Sequence, residues 1–157
     1  MTNADKPGVL APPPLILLIS LGVSAALGYL APLNWLPAAL TGIPVFLGAI
    51  LFFLAGFFGL YGIAAFRRAG TNIEPYKPAL VLVRDGPYRF TRNPMYLGLI
   101  TLHLSIVLLA SLDWGLILLP VFALTLHFGV VLREERYLTE KFGQPYLDFL
   151  ATTRRWI

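Results

Sequence analysis

Four stretches of this chain, about residues 15–31, 43–66, 95–111 and 114–132, contain no Asp, Glu, Lys or Arg. Each is close to the about 17–25 apolar residues that carry a helix across a bilayer. Composition follows from this division. Hydrophobic residues make up 57% of the chain and charged residues 13%, where a soluble domain carries about 25% charged residues. The mean hydropathy is +0.74. So few charges cannot cover a water-soluble surface, so lipid must solvate much of it. The predicted fold is an all-α integral membrane protein, a single domain over residues 1–157. It has about four transmembrane helices. The last two runs form a helical hairpin around Ser111-Leu112-Asp113, since so short a connection joins antiparallel neighbours. A charged, helical C-terminal segment follows.

Charge gives the orientation. Of the twelve Lys and Arg residues, Lys6 precedes the first run. Arg67, Arg68, Lys77, Arg84, Arg89 and Arg92 lie in the loop 67–94. Arg133, Arg136, Lys141, Arg154 and Arg155 lie in the tail 133–157. The connections at 32–42 and 111–114 have none. Four spans put all twelve on one side; three or five do not. Positive residues stay cytoplasmic, which predicts cytoplasmic termini, loop and tail. Pro12, Pro13 and Pro14 suit the first turn of a helix. The first run is thus read as a span, being longer than the apolar core of a usual signal peptide.

The net charge of +4 is explained by this topology and by anionic headgroups. No basic element with interleaved aromatics stands apart from the spans, so no nucleic-acid partner is expected. The chain has no cysteine, which excludes disulfides, thiolate zinc sites, iron–sulfur clusters and a cysteine nucleophile. P-loop, HExxH, GxSxG and strand-linked GxGxxG patterns are absent. Gly22 and Ala26 in the first run, and Gly48, Gly56, Gly59 and Gly62 in the second, read as close-packing positions between helices.

Two segments carry the candidate chemistry. In RDGPYRFTRNPMYLG (84–98), Asp85-Gly86-Pro87 signals a turn. Asn93-Pro94 then starts the third span. Arg89, Arg92 and Tyr96 are thereby delivered to the mouth of a helix, whose N-terminus adds free N–H groups and partial positive charge. That suits a carboxylate or phosphate of a ligand, and equally an interfacial anchor. In REERYLTEKFGQPY (133–146) the fourth helix runs on to about Phe142 and stops at Gly143, ahead of Pro145. Glu134 and Glu135 can accept ribose hydroxyls, balance a cation or act as a base. They can also simply pair with Arg92, Arg133 or Arg136. His103 is seven residues after Tyr96 and His127 seven before Glu134, so each pair shares a helix face. Both histidines are expected to line one cavity with these residues or to bond between helices. No metal site is expected from two distant histidines.

GPYRFTRNPMYLG (86–98), followed by REERYLTEKFGQPYLDF (133–149), resembles the isoprenylcysteine carboxyl methyltransferase and phospholipid methyltransferase superfamily. GTNIEPYKP (70–78) is similar to the pattern of its bacterial members. The likeness covers about residues 67–157; residues 1–66 match only as hydrophobic helices. It implies an integral membrane methyltransferase of a bacterial inner membrane. The implied cofactor is S-adenosylmethionine, leaving as S-adenosylhomocysteine, and the methyl acceptor is hydrophobic or lipid-like. By this likeness Gly86, Pro87 and Tyr88 shape a loop over the cofactor. Arg92, Asn93, Pro94 and Tyr96 continue its pocket. Glu134 and Glu135 match the acidic pair near the cofactor and reaction centre, and with Arg92 are the implied catalytic residues.

The chemistry of the residues is compatible with this reading. Arg92 and the helix start can serve a carboxylate. A glutamate can take hydroxyls or an ammonium, and Tyr88 and Tyr96 can face a sulfonium. A carboxylate or thiolate acceptor needs no base, whereas an amine needs one, from a glutamate or His127. Arg92-Asn93-Pro94 stands where eukaryotic carboxyl methyltransferases commonly have Arg-His-Pro, and Leu80 where they often place a histidine. These departures bear on a prenylcysteine substrate more than on the cofactor. The competing readings are a non-enzymatic membrane protein that keeps the fold, and an NADPH-dependent membrane reductase.

Overall fold

The computed structural model describes residues 5–157. It is built from helices, with no strand among the described residues. Helix α1 spans Pro13–Leu30, α2 Gly42–Ala69, α3 Pro94–Ala110 and α4 Asp113–Leu126. A π-helical turn, His127–Val131, joins α4 without a break to α5, Leu132–Phe142; α6, Gln144–Thr152, follows. The α1, α2 and α4–α5 helices are long and apolar enough to cross a membrane, and α3 is a shorter apolar helix of 17 residues. The chain is an all-helical membrane protein.

Helix ends follow local chemistry. Proline occupies the first turn of α1, α3 and α6, where its missing N–H is not needed. Gly70 closes α2 in the left-handed conformation with φ 67°, which glycine adopts without a Cβ clash. Helix α2 packs chiefly on α3, and α1 on α4. Close approach explains several glycines. A Cβ on Gly62 would come within 2.6 Å of Met95, one on Gly48 within 2.8 Å of Leu109, and one on Gly115 within 2.2 Å of Val107. A Cβ on Gly98 would come within 3.1 Å of the Gly59 backbone, whereas one on Gly22, Gly56 or Gly59 would face open space. At those three positions packing within one chain does not require glycine.

The bundle runs up and down. At one end Leu40 N donates to Leu109 O, Trp114 Nε1 donates to Ala31 O, and Trp35 N and Leu36 N donate to Asp113. At the other end Leu10 N donates to Gly129 O and Arg133 Nη1 to Gly8 O. The loop 70–93 and the tail also gather there, so one end holds the charge. Large apolar side chains such as Phe46, Phe53 and Leu60 point outward from α2, as a lipid-facing surface requires.

Candidate active site

At the charged end a cleft opens between the loop 70–83, the start of α3, and α5 and α6. Glycine at 86, with φ 63°, opens a 3₁₀ turn over Gly86–Arg89. This turn buries Tyr88 against Phe66 of α2 at a ring separation of 5.4 Å. Tyr88 lines the cleft, and its hydroxyl, which lies towards Gly62 of α2, is buried and has no hydrogen-bond partner. Such an orphan is rare in a folded chain. Pro94 starts α3 and aims Tyr96, one turn inside, at α5, where its hydroxyl donates to Glu134 Oε1 at 2.6 Å.

Glu134 and Glu135 are neighbours with opposite surroundings. Glu135 lies between two guanidinium groups. Arg92 donates to Oε1 from Nη2 at 2.8 Å and from Nε at 3.3 Å; Arg155 donates to Oε2 from Nη2 at 2.7 Å and to Oε1 from Nε at 2.9 Å. Burial pushes the Glu135 carboxyl up, but the hydrogen bonds from Arg155 and Arg92 outweigh it and hold the group below its ordinary value. Among the described residues no cation pairs with Glu134. It lies past Leu132, where the apolar run ends. Burial pushes its carboxyl up to about 7; the Tyr96 hydrogen bond opposes this and the Glu135 charge adds to it. One carboxylate is thus fixed as an anion, and the other can change charge near neutrality.

The C-terminal tail completes the site. Arg92 Nη1 donates to Leu150 O and Thr153 O, and Arg92 N to Arg154 O at 2.9 Å. Asn93 Nδ2 and Thr91 Oγ1 both donate to Arg155 O. The outer wall is the loop 70–83. Thr71 Oγ1 accepts from Leu80 N and Val81 N, Asn72 Nδ2 donates to Pro78 O, and Ala79 N donates to Tyr137 Oη on α5.

A family model described as phospholipid methyltransferase matches residues 43–145. The chain belongs to the phospholipid methyltransferase family. No curated protein and no solved structure gives a significant match. The matched region of this methyltransferase-family chain runs from α2 into the first turn of α6, and so takes in the loop 70–83, the 3₁₀ turn, α3 and both glutamates.

Of the residues singled out in the sequence, Tyr88, Arg92, Asn93, Tyr96, Glu134 and Glu135 line the cleft. Gly86, Pro87 and Pro94 do not; they set the course of the backbone that carries the others. Arg89 is exposed and points away, 3.5 Å from Asp85. The shared cavity expected for the histidines does not form. His103 is buried two turns deeper than Tyr96, shares a hydrogen bond with Ser20 of α1 at 2.9 Å and stacks on Phe122. It is the interhelical bond foreseen as its other role. His127 leaves the Glu134 face because the π turn begins at His127. A wider turn breaks the two-turn register that a seven-residue spacing assumes.

Several lining residues were not foreseen. Tyr146 and Phe149 of α6 wall the cleft, as do Glu74 and Lys77 of the loop. Arg155 holds Glu135 from the far end of the chain. The only sequence signal for the loop is its likeness to the family pattern at 70–78; for Arg155 there is none beyond its charge.

Proposed function

We propose that this chain transfers a methyl group from S-adenosylmethionine to a hydrophobic or lipid-like acceptor that reaches the cleft from the bilayer. The charged end is read as cytoplasmic, because positive residues stay on that side. The likeness to bacterial members points to a bacterial inner membrane. The observation that carries the proposal is Glu134: a carboxylate lining the cleft, bonded to Tyr96 alone and left without a cation, in a lining that also includes Tyr88, whose hydroxyl is an orphan.

The residues suit the cofactor by their chemistry. A sulfonium and an ammonium call for a carboxylate without a cation and for aromatic faces, which Glu134, Tyr88 and Tyr96 supply. Glu74 and Lys77, an exposed ion pair at 2.7 Å, offer both signs to an amino-acid end. The cofactor supplies an already activated methyl group. The protein's share is to align the acceptor, exclude water, and take a proton at Glu134 Oε if the acceptor carries one to lose. The cleft encloses about 90 Å³, below the about 300–1,000 Å³ usual for ligand sites. Filling it therefore requires its walls to move apart.

Arg92 takes a different role from the one its sequence context suggests. Nε, Nη1 and Nη2 all donate within the protein, so it positions Glu135 and the tail instead of receiving a ligand carboxylate. This also favours a second reading, in which the motif is kept for the fold alone. That reading accounts for Arg92, Asn93 and Glu135, but not for Glu134 or the Tyr88 hydroxyl.

The test is binding of labelled S-adenosylmethionine to the detergent-solubilised protein beside its Glu134→Gln and Tyr88→Phe variants, with lipid-extract methylation to find the acceptor. Saturable binding that weakens in both variants is expected. A folded protein that binds nothing at millimolar cofactor would sink the enzymatic reading.

A further inference from the structure

A second and roomier cleft flanks the same motif segment, with about 440 Å³ against about 90 Å³ for the first. No residue lines both. Its walls are Phe58 of α2, Arg89 and Phe90 after the 3₁₀ turn, Leu97 of α3, and Arg154 and Trp156 of the tail. These walls are sorted by polarity along the span. Phe58 lies nine residues before Arg67, about 13 Å down the apolar stretch at about 1.5 Å per residue. Leu97 lies within the first turn of α3. Arg89 and Arg154 stand at the charged end.

Neither water nor hydrocarbon alone suits this groove. Phe90 is 80% exposed, which water does not reward. Arg154 has no acidic partner among the described residues. Arg89 has only Asp85 at 3.5 Å, with both side chains largely in solvent, and such pairs hold weakly. Two under-neutralised guanidinium groups at the lip of an apolar furrow are complementary to one kind of molecule, an anionic lipid.

We propose that this groove docks an anionic membrane lipid, its phosphate between Arg89 and Arg154 and an acyl chain along Phe58 and Leu97. The inference rests on the membrane placement of the bundle and not on the methyl-transfer reading. It has a consequence for the first cleft. The tail that walls the groove also holds Arg92 through the carbonyls of Thr153 and Arg154. A lipid seated there fastens the tail to the motif segment, so membrane charge is coupled to the Arg92–Glu135–Arg155 clamp.

The experiment uses the full chain with Trp35→Phe and Trp114→Phe, leaving Trp156 as the single tryptophan. It is reconstituted in phosphatidylcholine vesicles doped with brominated phosphatidylglycerol or, separately, brominated phosphatidylcholine. Quenching of Trp156 should favour the anionic lipid by roughly 25-fold in apparent affinity, since each of the two arginines counts for roughly fivefold at an anionic surface. Arg89→Gln with Arg154→Gln should abolish the preference, while the charge-matched pair Arg67→Gln with Arg84→Gln keeps it. Should the tryptophan variants fold poorly, thermal unfolding of the wild-type chain in detergent gives the same comparison through protection by added phosphatidylglycerol. Equal quenching and protection by the two lipids overturn the proposal. So does a preference that survives in Arg89→Gln with Arg154→Gln, or one that soluble glycerol phosphate removes at millimolar concentration, which would make this a phosphate site without lipid.

Discussion

The two ends of the bundle each hold a covered carboxylate, and they use it differently. At the uncharged end Asp113 accepts from Trp35 N at 3.2 Å and Leu36 N at 2.9 Å, so both oxygens are taken up in pinning the 32–41 connection to the α3–α4 turn. At the charged end the task is divided. Glu135 does for the tail what Asp113 does for the connection, with two arginines in place of two backbone N–H groups. Glu134, one residue away, is bonded only by Tyr96. A carboxylate fully satisfied within the protein belongs to the fold. One left partly satisfied at a cleft is held in reserve for a ligand, and that contrast separates the two glutamates more sharply than their adjacency suggests.

The largest effect should come from breaking the carboxylate most deeply committed to the fold. Glu135→Ala leaves two guanidinium groups facing each other, one of them nine-tenths covered. Removing one partner of a buried ion pair costs about 3–5 kcal/mol. Chemical denaturation in detergent should show that loss, with the tail becoming open to carboxypeptidase. A change under about 1 kcal/mol would place the pair among weak surface bridges and erase the distinction from Glu134.

Glu134→Gln should do the reverse. Stability should hold or rise, because a charge that burial disfavours is removed. Methyl transfer to a lipid extract should fall by about 100-fold or more if Glu134 moves a proton, the low end of what a positioned acid or base contributes. Retained transfer by a variant that still binds the cofactor would assign the reaction to an acceptor that needs no base.

Asp113→Ala tests the uncharged end. Two backbone N–H groups lose their acceptor, worth about 1–3 kcal/mol of stability, and the transfer rate at a temperature where the protein stays folded should not change. A loss of rate at full folding would mean that the two ends communicate, and the division of labour would fail.

The sequence carries these features unequally. The spans are legible because a run without charge has few other fates, and Pro94 and Gly143 mark helix boundaries through backbone chemistry that needs no neighbour. Glu134 and Glu135, by contrast, are indistinguishable as a dipeptide. What separates them is Arg92, 43 residues before Glu135, and Arg155, 20 after it. Charge says that an arginine wants an acid without saying which one. The π turn at His127 is hidden for a related reason. It is a packing outcome, and a seven-residue spacing silently assumes a regular helix. The loop 70–83 has no periodicity to read; its order comes from Thr71, Asn72 and Tyr137 acting across the fold.

The smallest effect is the most discriminating, because it follows the charge of each glutamate directly. Glu135 is held below the ordinary glutamate value of 4.5. Its stabilisation is therefore present above that value and is lost as pH falls through its folded pKa. Glu134, raised to about 7, binds a proton more tightly folded than unfolded. Its contribution favours the fold below 4.5 and drains away between 4.5 and about 7 as pH rises. If transfer needs the ionised form, the rate should climb with pH around 7 and the limb should vanish in Glu134→Gln. Tyr96→Phe removes the hydrogen bond that lowers this pKa. A hydrogen bond to a charged group is worth about 1.5–3 kcal/mol, and one pKa unit is about 1.4 kcal/mol, so the limb should move up by about one to two units. A limb that stays in place in Tyr96→Phe would assign the titration to another group and return Glu134 to the same structural standing as its neighbour.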